Sequence, residues 1–140
     1  MLRTIPELNQ FMQDNFPQGV EFGSLDEVGD GWVLMRLSVA DSHLRPGGTV
    51  SGPTMMGMAD VAIWTALQTK IGPSPLTVTS NLNINFLAKP QPVDMLARAR
   101  VLRVGKRSGV GECWIYSGSE ELMVAHVTAN YSIPSRQLTD

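Results

Sequence analysis

Thr4 is followed three residues later by Glu7, which forms a capping box, and Leu8, Phe11 and Met12 then fall at helical spacing. The pattern predicts a short amphipathic helix ending before Pro17. Residues 20–28 are a weaker strand candidate, closed by the turn chemistry of Gly29, Asp30 and Gly31. Over 32–39, Val33, Met35, Leu37 and Val39 alternate with Leu34, Arg36 and Ser38, so the two runs predict a hairpin. A loop over 41–52, with Pro46, Gly47 and Gly48 inside it, leads to a segment that is apolar almost all the way round. Residues 54–69 carry Met55, Met56, Met58, Ala59, Val61, Ala62, Ile63, Trp64, Ala66 and Leu67, and a helix of that kind must be buried on most faces. Ser51 or Gly52 caps its start, Pro53 takes the first helical position, and Gly72 and Pro73 end it.

Everything after Pro75 reads as strand. Leu76, Val78, Ser80, Leu82, Ile84 and Phe86 share one face against Thr77, Thr79, Asn81, Asn83 and Asn85. Further runs cover 93–104, 108–116 and 122–133, with turns at Gly105 and at Gly118 and Ser119. The order predicts an α+β domain with one antiparallel sheet. A small sheet wraps only part of a helix that is apolar all round, so a second copy or a ligand is expected to cover the rest, most simply in a two-fold homodimer.

A chain of 140 residues is expected to be one domain over 1–140, and 43% hydrophobic residues supply a core without a disulfide staple. The lone cysteine, Cys113, has no internal partner. The net charge of −2 offers no basic field, so no nucleic-acid partner is expected. Arg3 is followed by Pro6, Glu7, Asn9 and Gln10 rather than a long apolar run. Neither a signal peptide nor a membrane span is expected, and a cytoplasmic address follows.

The candidate chemistry centres on Asp60, the only acidic residue in the apolar helix. A carboxylate among Met56, Ala59, Ile63 and Trp64 needs a partner, a raised pKa or a polar cleft. Gly57, one turn earlier, either leaves room for a ligand or permits close packing. Gly52 and Thr54 present N–H groups at the helix start, where partial positive charge favours a developing oxyanion; together with the acid two turns on, they make a candidate for acyl transfer. His43 and His126 lack ligand-like spacing, so no metal is expected.

GTVSGPTMMGMAD over 48–60, NLNINFLAKP over 81–90 and the turn of Gly105, Lys106 and Arg107 resemble the hotdog-fold acyl-CoA thioesterases of the phenylacetate-degradation type. The resemblance covers roughly 18–134 and implies the hotdog fold, one antiparallel sheet wrapped around a long central helix. It implies that Asp60 is the catalytic acid, as nucleophile or as general base for water, that Gly52 donates its N–H to the thioester carbonyl, and that Ser80 orients the water. The implied substrate is a small or aromatic acyl-CoA, with coenzyme A part of the substrate and no separate cofactor. The implied assembly is a homodimer with sites shared between subunits, often paired again as a dimer of dimers. Ser51 stands where the family carries His, Pro53 where it carries a second Gly, and Arg45 where many members carry a substrate-contacting Asn.

Arg45, Ser51, Thr54, Gly57, Trp64 and Asn83 are the expected substrate contacts, and Met55 and Met56 are further candidates for an acyl pocket. For the phosphates of coenzyme A the first candidates are Lys106 and Arg107, at a turn. Lys89, Arg98, Arg100 and Arg103 are also near in sequence, but alternation puts Arg98 and Arg100 on one face and Arg103 on the other. The alternative reading is a non-catalytic acyl-CoA or fatty-acyl binding module. A hydratase is disfavoured because neither histidine lies in the central helix or the loop entering it.

Overall fold

The computed structural model describes residues 1–135; residues 136–140, the end of the expected domain, lie outside the described residues. Helix α1 (Ile5–Asn15) begins with the capping box: the Thr4 hydroxyl accepts from the Glu7 N–H at 3.2 Å and the Glu7 carboxylate accepts from the Thr4 N–H at 3.0 Å. Phe16 caps its end, its N–H donating to the Met12 carbonyl at 2.7 Å. The first expected strand starts later than its pattern suggested. Pro17–Phe22 forms a 3₁₀ turn, and Gly23, at φ +134°, redirects the chain into β1 (Ser24–Gly29). Strand β2 (Trp32–Leu37) returns as the other arm of the hairpin.

Helix α2 runs from Gly52 to Ile71, and β3 (Val78–Phe86), β4 (Met95–Val104), β5 (Ser108–Ser117) and β6 (Met123–Ser132) complete the chain. All six strands form one antiparallel sheet in the order β1-β2-β4-β5-β6-β3. The sheet packs on α2 through Met95, Ala97, Ala99, Cys113, Ile115 and Val127, against Met58, Ala59, Ala62, Ile63, Ala66 and Leu67, all within 1% of full burial. Close approach depends on two glycines. A Cβ on Gly109 would stand 2.8 Å from Leu67 Cδ2, and one on Gly111 would stand 2.5 Å from Ile63 Cγ2. Part of the cover expected from a second copy comes from the chain itself: Phe11 of α1 stacks on Trp64 at 5.5 Å.

Two bulges change which residues share a face, because an extra residue in one strand reverses the alternation beyond it. In β3 the pairing slips between Thr79 and Asn81, so Thr79 pairs with Tyr131 on the helix side and Ser80 is the extra residue. In β4 the slip between Val101 and Arg103 makes Leu102 the extra residue, and Arg103 joins Arg98 and Arg100 on the outer face rather than opposing them.

The two sheet edges differ in character. β1 is bulged and carries Asp26 and Glu27, features that discourage further pairing. β3 and its flanks expose Leu76 at 72%, Val78 at 58%, Phe86 at 52% and Leu87 at 57%. No helix among the described residues is long and apolar enough to cross a membrane.

Candidate active site

Asp60 is half-buried on α2, and its surroundings supply what a carboxylate in an apolar helix requires. The Thr79 hydroxyl donates to Asp60 Oδ1 at 2.6 Å and the Tyr131 hydroxyl to the same oxygen at 2.7 Å, with the Asp60 carbonyl 2.8 Å from the Tyr131 oxygen. Burial, and then the neighbouring Asp60 charge, push the Tyr131 hydroxyl well above its ordinary range, so it stays protonated as a donor. Oδ2 takes no hydrogen bond from the described residues. It is not sealed in: Asp60 lines an open cleft of about 410 Å³ with Asn15, Phe16, Val61, Trp64, Val78 and Thr79.

The start of α2 forms a second feature. Ser51 is the N-cap, its Oγ accepting from the Thr54 N–H at 3.3 Å and lying 2.8 Å from Thr54 Oγ1. Replacing Ser51 with Ala is expected to lower stability by about 1 kcal/mol through loss of this cap, read as a lower midpoint in thermal unfolding. The Gly52 N–H makes no hydrogen bond with the described residues, and Gly52 shares a cleft of about 300 Å³ with Arg45, Met55, Phe86 and Lys89. A Cβ on Gly52 would lie 3.3 Å from Phe86 Cζ, so the ring at the end of β3 sits over the start of α2.

The residues expected from sequence divide accordingly. Asp60 and Trp64 stand together in one cleft, and Arg45 and Gly52 in the other. Thr54 lines neither; it borders a surface groove with Ser42 and His43. The hydroxyl at Asp60 is that of Thr79 and not Ser80, because the bulge turns Ser80 away to donate to the Asn130 carbonyl at 3.1 Å. Gly57 holds no space for a ligand: a side chain there would run into the Phe22 ring, so the glycine serves packing of the 3₁₀ turn on α2. Asn83 pairs with Thr128 on the face of the sheet away from α2, outside both clefts, because its neighbours Leu82 and Ile84 take the inner face. Lys106 and Arg107 lie exposed in the β4–β5 turn and line neither cleft.

Lys89 lines the Gly52 cleft, whereas Arg98 and Arg100 are engaged on the outer face. Arg98 forms two hydrogen bonds with Glu120, at 2.7 and 3.0 Å, and lies over Trp32 at 5.3 Å. Arg100 bonds Glu112 at 2.9 Å and lies over Trp114 at 5.3 Å, while His126 Nε2 is 2.9 Å from the other Glu112 oxygen. Burial alone would raise the Glu112 carboxyl, but His126 and Arg100 hold it below the ordinary carboxylate range. His43 Nδ1 accepts from the Ala40 N–H at 2.9 Å. Thr79, Tyr131 and Phe16 were not read from sequence as site residues; a tyrosine in a buried strand was the one available signal for the second.

Residues 47–124 match the family model of the thioesterase superfamily. Among solved structures, a candidate thioesterase from Silicibacter sp. TM1040 is 38% identical, with 96% of this chain and 94% of that chain covered and a TM-score of 0.86. Zebrafish thioesterase superfamily member 2 is 18% identical, with 94% and 99% covered and a TM-score of 0.81. The Escherichia coli PaaI protein from the phenylacetic acid degradation operon is 20% identical, with 90% and 95% covered and a TM-score of 0.76. The last two share the fold. No curated protein sequence matches the chain.

Proposed function

The chain belongs to the thioesterase superfamily and has its hotdog fold, and from that premise we propose that it hydrolyses the thioester of a small or aromatic acyl-CoA. The observation that carries the reading is Asp60 in an open apolar cleft, its Oδ1 held by two hydroxyl donors and its Oδ2 uncommitted. A carboxylate oriented in this way, through one oxygen, has the other available to attack the carbonyl carbon or to take a proton from an attacking water. The Gly52 N–H, at the positive end of α2, stabilises the charge that develops on the carbonyl oxygen. With Asp60 as general base, water adds to the carbonyl carbon and the C–S bond breaks to give the free acid; with Asp60 as nucleophile, its oxygen displaces the thiolate to form a mixed anhydride, which water then hydrolyses to the free acid and restores the carboxylate. On both routes the departing thiolate takes up a proton to become coenzyme A. The aromatic acyl class is supported by the Trp64 indole in the cleft and by a shared fold with a protein of a phenylacetic acid degradation operon.

The two halves of this chemistry do not meet within one chain. Gly52 and Asp60 are eight residues apart on one helix, a rise of roughly 12 Å, too far for both to touch one carbonyl group. Strand β3 lies along α2 with Thr79 at Asp60 and Phe86 over Gly52. A two-fold axis through the middle of this exposed edge pairs β3 with itself and exchanges its ends, bringing Gly52 of a second copy to Asp60 of the first. The functional unit we propose is therefore a homodimer with two shared sites, open to further pairing as a dimer of dimers.

The test is release of free thiol across acetyl-, butyryl-, decanoyl- and phenylacetyl-CoA. Turnover of the short or aromatic members is expected. Stoichiometric binding with no thiol released would mark a non-catalytic acyl-CoA binding module instead.

A further inference from the structure

Behind the Asp60 cleft lies a second apolar space. About 300 Å³ opens between α1, the 3₁₀ turn, β1 and α2, lined chiefly by Met12, Pro17, Val20, Leu25 and Met35. Phe16 is the one residue that lines both this space and the cleft of about 410 Å³ beside Asp60. The partition is thus an aromatic ring at the C-terminal cap of α1.

Of the two aromatic rings at this point, Trp64 is anchored by a hydrogen bond and Phe16 by packing alone. Trp64 is 9% exposed, stacks on Phe11 and donates its Nε1–H to the Thr77 carbonyl at 2.9 Å. Phe16 is half-buried, meets Trp64 edge-on at 5.9 Å and 71°, and has no polar atom to anchor its ring.

We propose that Phe16 is the residue that sets acyl length: its ring closes the Asp60 cleft against the rear space and confines the substrate to groups that fit in front. The proposal rests on the acyl-thioester reading above. Its size logic is simple. A cavity of roughly 150 Å³ takes a benzene ring, so the front cleft of about 410 Å³ holds an aromatic or short acyl group with room to spare, and the space of about 300 Å³ beyond Phe16 would take the distal part of a longer alkyl chain once the ring is removed. Methionine, leucine, valine and proline make up the apolar wall of this rear space, Asn9, Gln13, Ser24 and Thr65 are its polar members and none is charged, which suits an alkyl tail and no ionic group. Each methylene admitted contributes about 0.8 kcal/mol, or roughly fourfold in selectivity.

The experiment compares wild type, Phe16→Leu and Phe16→Ala in kcat/KM over butyryl-, hexanoyl-, decanoyl- and phenylacetyl-CoA. The ratio of decanoyl to butyryl is expected to rise at least tenfold in Phe16→Ala, mainly through KM, with Phe16→Leu, the milder change, between. A uniform loss across all four substrates would mean a structural role and overturn the proposal, as would an unchanged ratio. Calorimetric binding of free decanoate to the same proteins gives a readout independent of turnover, with at least tenfold tighter binding expected for Phe16→Ala. If the wild type hydrolyses none of the substrates, the activity reading fails; decanoate binding then still decides the partition, supporting it if the variants bind tighter and overturning it if they bind alike.

Discussion

Asp60→Asn leaves the protein folded and lowers kcat for thioester hydrolysis by roughly 10²- to 10⁴-fold. The structural half of this expectation follows from which oxygen is held. Thr79 and Tyr131 both donate to Oδ1, and the amide oxygen of Asn accepts the same two bonds in the same place. The amide nitrogen replaces Oδ2, which has no partner among the described residues, so no donor is brought against a donor. The chemical half follows from what an amide lacks: it carries no charge to attack a carbonyl carbon and no basic site to take a proton from water. Steady-state thiol release beside a thermal unfolding curve separates the two. An Asn variant within tenfold of the wild type would remove Asp60 from the chemistry and leave only the fold.

Leu67→Ala costs about 2–5 kcal/mol, at the upper end of that range. Leu67 has no exposed surface and lies on the backbone of β5 at Gly109, where a Cβ would already be 2.8 Å from its Cδ2. The strand below is fixed by hydrogen bonds to β4 and β6, so the space left by the lost methyls does not close by a shift of the sheet. The thermal midpoint is expected to fall by roughly ten degrees or more. Because Leu67 lies two turns along α2 from Asp60 and lines neither cleft, kcat of the folded fraction is expected to hold near wild type, and a fall in both would show the helix moving as a unit.

Much of the architecture was legible because it follows from periodicity. Thr4 and Glu7 announced α1, Pro53 and Gly72 bounded α2, and a run such as Met58 to Leu67 has no solution but burial between layers. What alternation cannot show is a change of phase. The bulge at Ser80 exchanges Ser80 for Thr79 at the acid, and the bulge at Leu102 moves Arg103 across the sheet, since each depends on a pairing partner far along the chain. Gly57 carried two readings that only the position of Phe22 separates. Tyr131 comes to Asp60 from seventy-one residues away, a meeting fixed by strand order and by no local pattern. The site was thus readable where one helix carries it and unreadable where β3 and β6 complete it.

The placing of the three tryptophans gives the molecule a built-in optical probe. Trp64 borders the cleft beside Asp60, whereas Trp32 and Trp114 lie under Arg98 and Arg100 on the far side of the sheet. Intrinsic emission therefore divides into one component that senses the cleft and two that do not. A ligand entering beside Asp60 would alter the first alone, so occupancy is readable by fluorescence without a label and without turnover.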